Sequence, residues 1–183
     1  GKPIHTYDAA GVGERDGRCR IVVRRAEPGE RIETIDHVAR ALDPETLLIA
    51  DERGPLGIAG VMGGAGSEVS DATRAVIVES ATFDPISIRR TGQRYALRSE
   101  ASLRFEKGQE FRLARVGADR TAQLLGAWAG GTVAPGRVDT NPQEPERSRV
   151  AFRPSRVDRL IGAAIPAGEQ RALLERVGIE TID

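Results

Sequence analysis

Short apolar runs separated by glycine and proline turns fill the first half of the chain. They fall at residues 20–25, 31–35, 47–51, 56–62 and 75–81. The last run, AVIVESA, is rich in β-branched residues and carries Glu79 inside it. Runs of this length, bounded by turn residues, are typical of β-strands. The pattern predicts sheets packed as a sandwich rather than alternating βαβ units.

Helical patterns begin after these runs. Asp84 is a favourable N-cap and Pro85 suits the first helical position, so we predict a helix from there to about residue 96. A second helix is predicted over residues 110–129, stopped by Gly130 and Gly131. Its apolar face would comprise Leu113, Val116, Leu124, Leu125 and Trp128.

A polar, proline-bearing stretch at residues 139–148 divides the pattern and predicts a linker. It would separate a first domain, residues 1–138, from the truncated start of a second, residues 149–183. In the second we predict a strand over 149–153 and helices near 155–161 and 167–177. Too little of this part is present for a complete core, so we expect the chain to be a piece of a longer protein.

The charges balance: 27 Lys and Arg residues face 27 Asp and Glu residues. A polycationic nucleic-acid binder is therefore excluded, and any contact with nucleic acid would be local. A basic cluster on and after the first predicted helix is either a solvated face or a patch for backbone phosphates. Its members are Arg89, Arg90, Arg94, Arg98 and Arg104.

Cys19 is the only cysteine, which excludes a disulfide framework and a thiolate zinc cluster and favours a reducing cytoplasm. We expect it to be a small buried residue. No apolar run approaches the length of a membrane span. The only histidines, His5 and His37, show no metal-binding spacing, so we predict no metal site.

A glycine-rich segment surrounds Gly60 and Gly63. It is not a phosphate loop, because Glu68 and Asp71 follow it and no helix is predicted there. Two interpretations stay open: a tight turn between strands, or a backbone surface bare enough for a ligand ring.

Polar residues beside this segment also allow two interpretations each. Glu79 could pair with an arginine or accept a hydrogen bond from a buried hydroxyl, since a carboxylate in an apolar strand needs a partner. His5 is either structural or part of a site. Ser99 and Ser102 lack the GxSxG context of a nucleophilic serine, so we do not expect an acyl-enzyme.

A set of ordered segments resembles a known family. The segments are PIHTYD at residues 3–8, VRRAEPGE at 23–30, IAGVMGG at 58–64, ESATFDP at 79–85 and RSEASLRFEKG at 98–108. Together they closely resemble the β chain of bacterial phenylalanyl-tRNA synthetase, most strongly over residues 1–138.

The resemblance implies an α+β fold: a three-layer editing module of the B3/B4 type around a β-sandwich of unusual topology, with flanking helices. A small domain of the B5 type would begin after it. The module would hydrolyse tyrosine wrongly attached to phenylalanine tRNA. The whole enzyme would be cytoplasmic, pair two α chains with two β chains, and use ATP and Mg²⁺, with no cofactor in this part.

The resemblance also implies roles for individual residues. His5 and Ser99 would be catalytic, and Gly60, Gly63, Glu79 and Ala101 would bind the substrate. Separately, the basic cluster predicts that Arg94, Arg98 and Arg104 contact RNA. Ser99 stands where the family usually has threonine, and Lys107 where it usually has arginine. The alternatives are a tRNA-binding or assembly module with a decayed pocket, and a freestanding hydrolase.

Overall fold

The structure is a computed structural model that describes residues 1–140 and 148–182. The chain divides into two compact units, Gly1–Glu144 and Pro145–Asp183. Most of the predicted linker, residues 139–148, lies outside the described residues. The domain boundaries at 138 and 149 therefore stay predictions.

The first unit combines helices with small antiparallel sheets, so the α+β class is confirmed. Its strands are β1 (His5–Asp8), β2 (Glu14–Arg15), β3 (Arg18–Cys19), β4 (Val22–Arg25), β5 (Arg31–Glu33), β6 (Ala39–Ala41), β7 (Leu47–Ala50), β8 (Pro55–Ile58), β9 (Met62–Gly63) and β10 (Val76–Glu79). The central sheet has the order β4-β7-β8-β9, and the other sheets pair β1 with β10, β2 with β3, and β5 with β6.

The hydrophobic core lies on the central sheet. Leu48 of β7 pairs with Ile58 of β8, and both side chains are almost completely buried. Two helices of this unit contribute side chains to the same buried cluster. Helix α1 (Pro85–Arg94) contributes Ile88, and helix α2 (Glu100–Phe105) contributes Phe105. Burying such apolar side chains is the main force that holds sheet and helices together.

The sequence signals correctly predicted where α1 begins and where α3 (Leu113–Ala129) ends. The Asp84 carboxylate accepts a hydrogen bond of 2.7 Å from the Ser87 amide and caps α1. Gly130 takes a left-handed conformation, with φ of 64°, and ends α3. Helix α2 was not predicted; Ser99 caps it. None of the described helices is long and apolar enough to cross a lipid bilayer.

The apolar face of α3 is less covered than its pattern suggests. None of its residues is fully buried, and Leu113, Val116 and Trp128 are 40%, 60% and 81% exposed. The helix meets the rest of the unit at β10, where the Ser80 hydroxyl donates to the Ala114 carbonyl at 2.6 Å just after the strand.

Two predictions were wrong. Cys19 is exposed rather than buried, because it lies in the two-stranded β2–β3 sheet, whose residues are all exposed. The predicted strand over residues 149–153 is not formed within the described part of the second unit. An extended segment needs a hydrogen-bonding partner strand, and the described residues of this unit form only α4 (Pro154–Ile161) and α5 (Ala167–Arg176) as regular elements.

Candidate functional site

A cavity of about 240 Å³ opens between the β1–β10 sheet, the turn that follows β8, and the start of α2. Its wall contains every residue that was predicted to catalyse or to bind substrate. These residues are His5, Gly60, Gly63, Glu79, Ser99 and Ala101. The structure thus brings together positions that are up to 96 residues apart in the sequence (from 5 to 101).

The register of the β1–β10 ladder sets the polar wall of this cavity. His5 lies directly opposite Glu79, and Tyr7 lies opposite Ile77. Because alternate residues of a strand point to the same face, His5, Tyr7 and Glu79 share one face of the two-stranded sheet. All three line the cavity.

Glu79 has a hydroxyl rather than an arginine as its partner. The Tyr7 hydroxyl donates a short hydrogen bond to Glu79 Oε2. Burial raises the pKa of the Glu79 carboxyl, and the bond from Tyr7 lowers it in part. The second oxygen, Oε1, has no hydrogen-bond partner among the described residues. The carboxylate therefore keeps one acceptor for a ligand.

His5 packs edge-on against Tyr7, with ring centroids 4.5 Å apart and an interplanar angle of 70°. Burial lowers the pKa of the His5 imidazole, so the ring is neutral at pH 7 and can accept a proton. No hydrogen bond joins its ring nitrogens to another described residue. They are available to a ligand or a water molecule.

The two predicted glycines line the cavity with their backbone, but the space left by their missing side chains is filled by the protein. Gly60 has a φ of +67°, and a Cβ there would lie 2.7 Å from Phe83 Cδ2 and 2.8 Å from Ile88 Cδ1. At Gly63 a Cβ would lie 2.7 Å from His5 Nε2. The missing side chain of Gly60 thus makes room for the core, and that of Gly63 makes room for the imidazole. Contact of a ligand ring with their backbone stays a prediction.

Ser99 fixes the start of α2 at the cavity wall. Its hydroxyl donates to the Val61 carbonyl at 2.6 Å and accepts from the Ser102 amide at 3.1 Å. It thereby joins α2 to the glycine-containing turn and holds Ala101 beside the cavity. The Ser99 proton is already used in this bond, which fits the prediction that this serine is not a nucleophile.

The arginines predicted to contact RNA do not line the cavity. Arg94 forms an ion pair of 3.1 Å with Asp43, and Arg104 forms one of 2.5 Å with Glu100. Arg98 is exposed and has no partner among the described residues. Of these three guanidinium groups, Arg98 is the one that remains open to a phosphate.

Tyr7 is a cavity residue with a polar group that sequence reasoning missed. It is 1% exposed, and its hydroxyl is the partner of Glu79. A signal was present in the sequence, because Tyr7 follows His5 by two residues and would share its face on a strand. The segment PIHTYD was not identified as a strand, so the signal was not used.

Comparison with known proteins identifies the family. The model of the B3/4 domain matches residues 1–130, which include every residue of the cavity wall. The chain belongs to the B3/4 domain family. Outside the matched range lie the last residues of the first unit and all of the second unit.

Relatives of this B3/4 domain chain match nearly its whole length. The phenylalanine–tRNA ligase beta subunits of Moorella thermoacetica and Rhodopirellula baltica are 47% and 44% identical to it, each over 98% of the chain. That of Salinibacter ruber is 40% identical, also over 98%. The chain spans only 22%, 26% and 21% of these relatives. The resemblance seen in the sequence motifs is thus confirmed.

Proposed function

We propose that this chain is the editing part of a phenylalanine–tRNA ligase β chain and hydrolyses tyrosyl esters of phenylalanine tRNA. The observation that carries the proposal is the Glu79 carboxylate, which lies in the cavity wall and already accepts a phenolic hydroxyl, that of Tyr7. Tyrosine differs from phenylalanine by such a hydroxyl. A site that bonds to it can select tyrosine for hydrolysis after a synthetic site has admitted it.

The cavity supplies the groups that ester hydrolysis by water requires. Water attacks the ester carbonyl carbon, the bond to the ribose oxygen breaks, and the proton of the water passes to that oxygen. The neutral His5 imidazole can take the proton and return it. Backbone groups of the turn through Gly60 and Gly63 would hold the ester, so the rate depends mainly on positioning.

The whole protein would be larger than this chain. The relatives are named as ligase beta subunits, so we propose an assembly of two α and two β chains that binds phenylalanine tRNA in the cytoplasm. ATP and Mg²⁺ would serve aminoacylation. The described residues contain no cluster of three His, Cys, Asp or Glu side chains suited to a metal ion. That neither ATP nor Mg²⁺ binds in this part of the protein stays a prediction. Residues 1–138 would form the editing module, and 149–183 the start of a B5-type domain.

A deacylation assay on the full synthetase tests the proposal. We expect the wild type to hydrolyse tyrosyl-tRNA faster than phenylalanyl-tRNA, and Glu79→Ala to reduce that preference at least tenfold, because a hydrogen bond to a charged group is worth about 1.5–3 kcal/mol. Glu30→Ala is the matched control. Glu30 is also largely buried and bonds to Arg24 at 2.6 Å, but it lies outside the cavity.

Two results would count against the proposal. If Glu79→Ala folds and keeps the full preference, Glu79 does not read the phenolic hydroxyl. If the wild type attaches phenylalanine but hydrolyses neither ester, the alternative of a tRNA-binding or assembly module with a decayed pocket is correct.

A further inference from the structure

Tyr7 is placed to control the residue that would read the substrate. It is one of only two tyrosines in the chain and among its most deeply buried side chains, 1% exposed. Its hydroxyl donates to Glu79 Oε2 inside the cavity. The cavity thus contains a phenol of the protein itself, bonded to the carboxylate that we assign to the ligand's phenol.

The surroundings of Tyr7 hold this phenol in place. The β1–β10 ladder fixes its backbone opposite Ile77, and the His5 ring packs against the Tyr7 ring in a T-shaped arrangement with ring centroids 4.5 Å apart. A buried side chain between such neighbours cannot move aside without opening the core. Tyr7 is therefore not displaced by a ligand, and a ligand must use the other carboxylate oxygen.

We propose that Tyr7 is a specificity-determining positioning residue, which binds one oxygen of Glu79 and orients the other, Oε1, toward the phenolic hydroxyl of the substrate. This inference rests on the proposed editing function. A carboxylate can accept several hydrogen bonds, so two phenols can share it. Fixing its rotamer in advance removes the entropy cost of ordering it when the substrate binds.

The same hydrogen bond stabilises the charged form of the Glu79 carboxylate. The carboxyl is buried, which raises its pKa, and the Tyr7 hydroxyl opposes that rise by stabilising the charged form. The other titratable side chains on the cavity wall are His5, opposite Glu79 on β1, and Glu100 on α2. Without the Tyr7 hydroxyl, Glu79 would bind a proton at higher pH and become a weaker acceptor.

The test is Tyr7→Phe in the full synthetase, assayed on tyrosyl-tRNA and phenylalanyl-tRNA. We expect the preference for tyrosyl-tRNA to fall about three- to tenfold, the effect of losing one hydrogen bond that orients the acceptor. Tyr95→Phe is the matched control. The Tyr95 hydroxyl bonds to the Asp43 amide at 2.8 Å and to Thr46 Oγ1 at 2.7 Å, away from the cavity, so this variant should keep the preference.

The pH profile separates positioning from general loss of structure. In the wild type, the preference should fall as the pH drops through the pKa of Glu79. In Tyr7→Phe this fall should begin at a higher pH, because the hydroxyl that lowers the pKa is gone. The inference is overturned if Tyr7→Phe lowers the preference for tyrosyl-tRNA by the same factor at every pH. It is also overturned if Tyr95→Phe lowers that preference.

A double variant tests whether Tyr7 acts through Glu79. Adding Tyr7→Phe to Glu79→Gln should not change the preference further, and an additional loss overturns the inference. This comparison also serves if Tyr7→Phe alone does not fold, because the double variant leaves no unpaired buried charge. If the wild type shows no preference, the proposed function fails; if it does and Tyr7→Phe keeps it, only the role of Tyr7 fails.

Discussion

At the scale of single residues, the two cavity glycines have different duties. Gly60 combines a left-handed backbone with close contact to Phe83 and Ile88 in the core. At Gly63 the His5 ring lies where it would crowd a Cβ, which would be 2.7 Å from His5 Nε2. We therefore expect Gly60 to matter for stability and Gly63 for the position of the imidazole.

Alanine substitutions should separate these duties. Gly60→Ala should lower the free energy of unfolding by about 2–4 kcal/mol, from left-handed strain and overpacking of the core. Gly63→Ala should leave stability nearly unchanged but slow deacylation of tyrosyl-tRNA about ten- to hundredfold, since it displaces His5. Circular dichroism during denaturation and single-turnover deacylation measure the two effects. Full activity in Gly63→Ala would show that the imidazole position does not matter.

Two polar residues of the cavity could be singled out from the sequence, although their roles stayed open without the family resemblance. Glu79 in an apolar run and His5 in a short polar segment are unusual enough to notice. The bond from Tyr7 to Glu79 was not predictable, because it depends on a strand pairing across more than sixty residues of intervening chain. Single-sequence patterns contain no information on which strands pair at such a distance.

At the scale of elements, α2 connects packing to the cavity. It is only Glu100–Phe105, too short to be stable without its cap and its neighbours. Ser99 supplies the cap, and the same hydroxyl also donates to the Val61 carbonyl. One hydroxyl thus caps the start of α2 and joins the helix to the turn that follows β8. Phe105, near its end, packs against Phe83 with ring centroids 5.0 Å apart.

Removing the cap should therefore affect both stability and activity. Ser99→Ala should cost about 1 kcal/mol of stability, the usual value for a lost N-cap, and reduce deacylation in part. Asp84→Ala is the matched control, since it removes the cap of α1, which contributes no residue to the cavity wall. It should cost similar stability and leave deacylation intact. Ser99→Thr keeps the hydroxyl and should behave like the wild type; equal activity in Ser99→Ala would refute the role of the cap.

Helices α1 and α3 were predicted better than helix α2 and better than the short strands. Helices α1 and α3 carry caps and stop signals in their own sequence, whereas the polar run before Phe105 has no apolar period. The apolar pattern of β10 correctly predicted a strand. The pattern of residues 149–153 also predicted a strand, but none is formed there, because a strand forms only where a partner strand is available.

At the scale of the whole molecule, the even charge balance means that the proposed tRNA contact would depend on local groups. Of the arginines predicted to contact RNA, Arg94 and Arg104 are neutralised by Asp43 and Glu100. Arg98 is exposed without a partner in the described part of the chain. A guanidinium that already forms an ion pair gains less binding free energy from a phosphate contact than a guanidinium that faces only water.

Titration of tRNA at several salt concentrations tests whether Arg98 contributes more to tRNA binding than Arg94. Arg98→Ala should weaken binding and reduce the slope of log affinity against log salt by about 1, the effect of one lost phosphate contact. Arg94→Ala should change that slope less, because its partner Asp43 already competes for the charge. The opposite order would mean that tRNA breaks the Arg94–Asp43 pair.

The open face of α3 also determines what an optical measurement on this protein can report. Trp128, the only tryptophan, lies at the end of that helix and is already 81% in water in the folded state. Its fluorescence will therefore change little when the core unfolds. The same exposure makes it a sensitive reporter of anything that covers this end of α3, because a shift of emission to shorter wavelength then signals contact rather than folding.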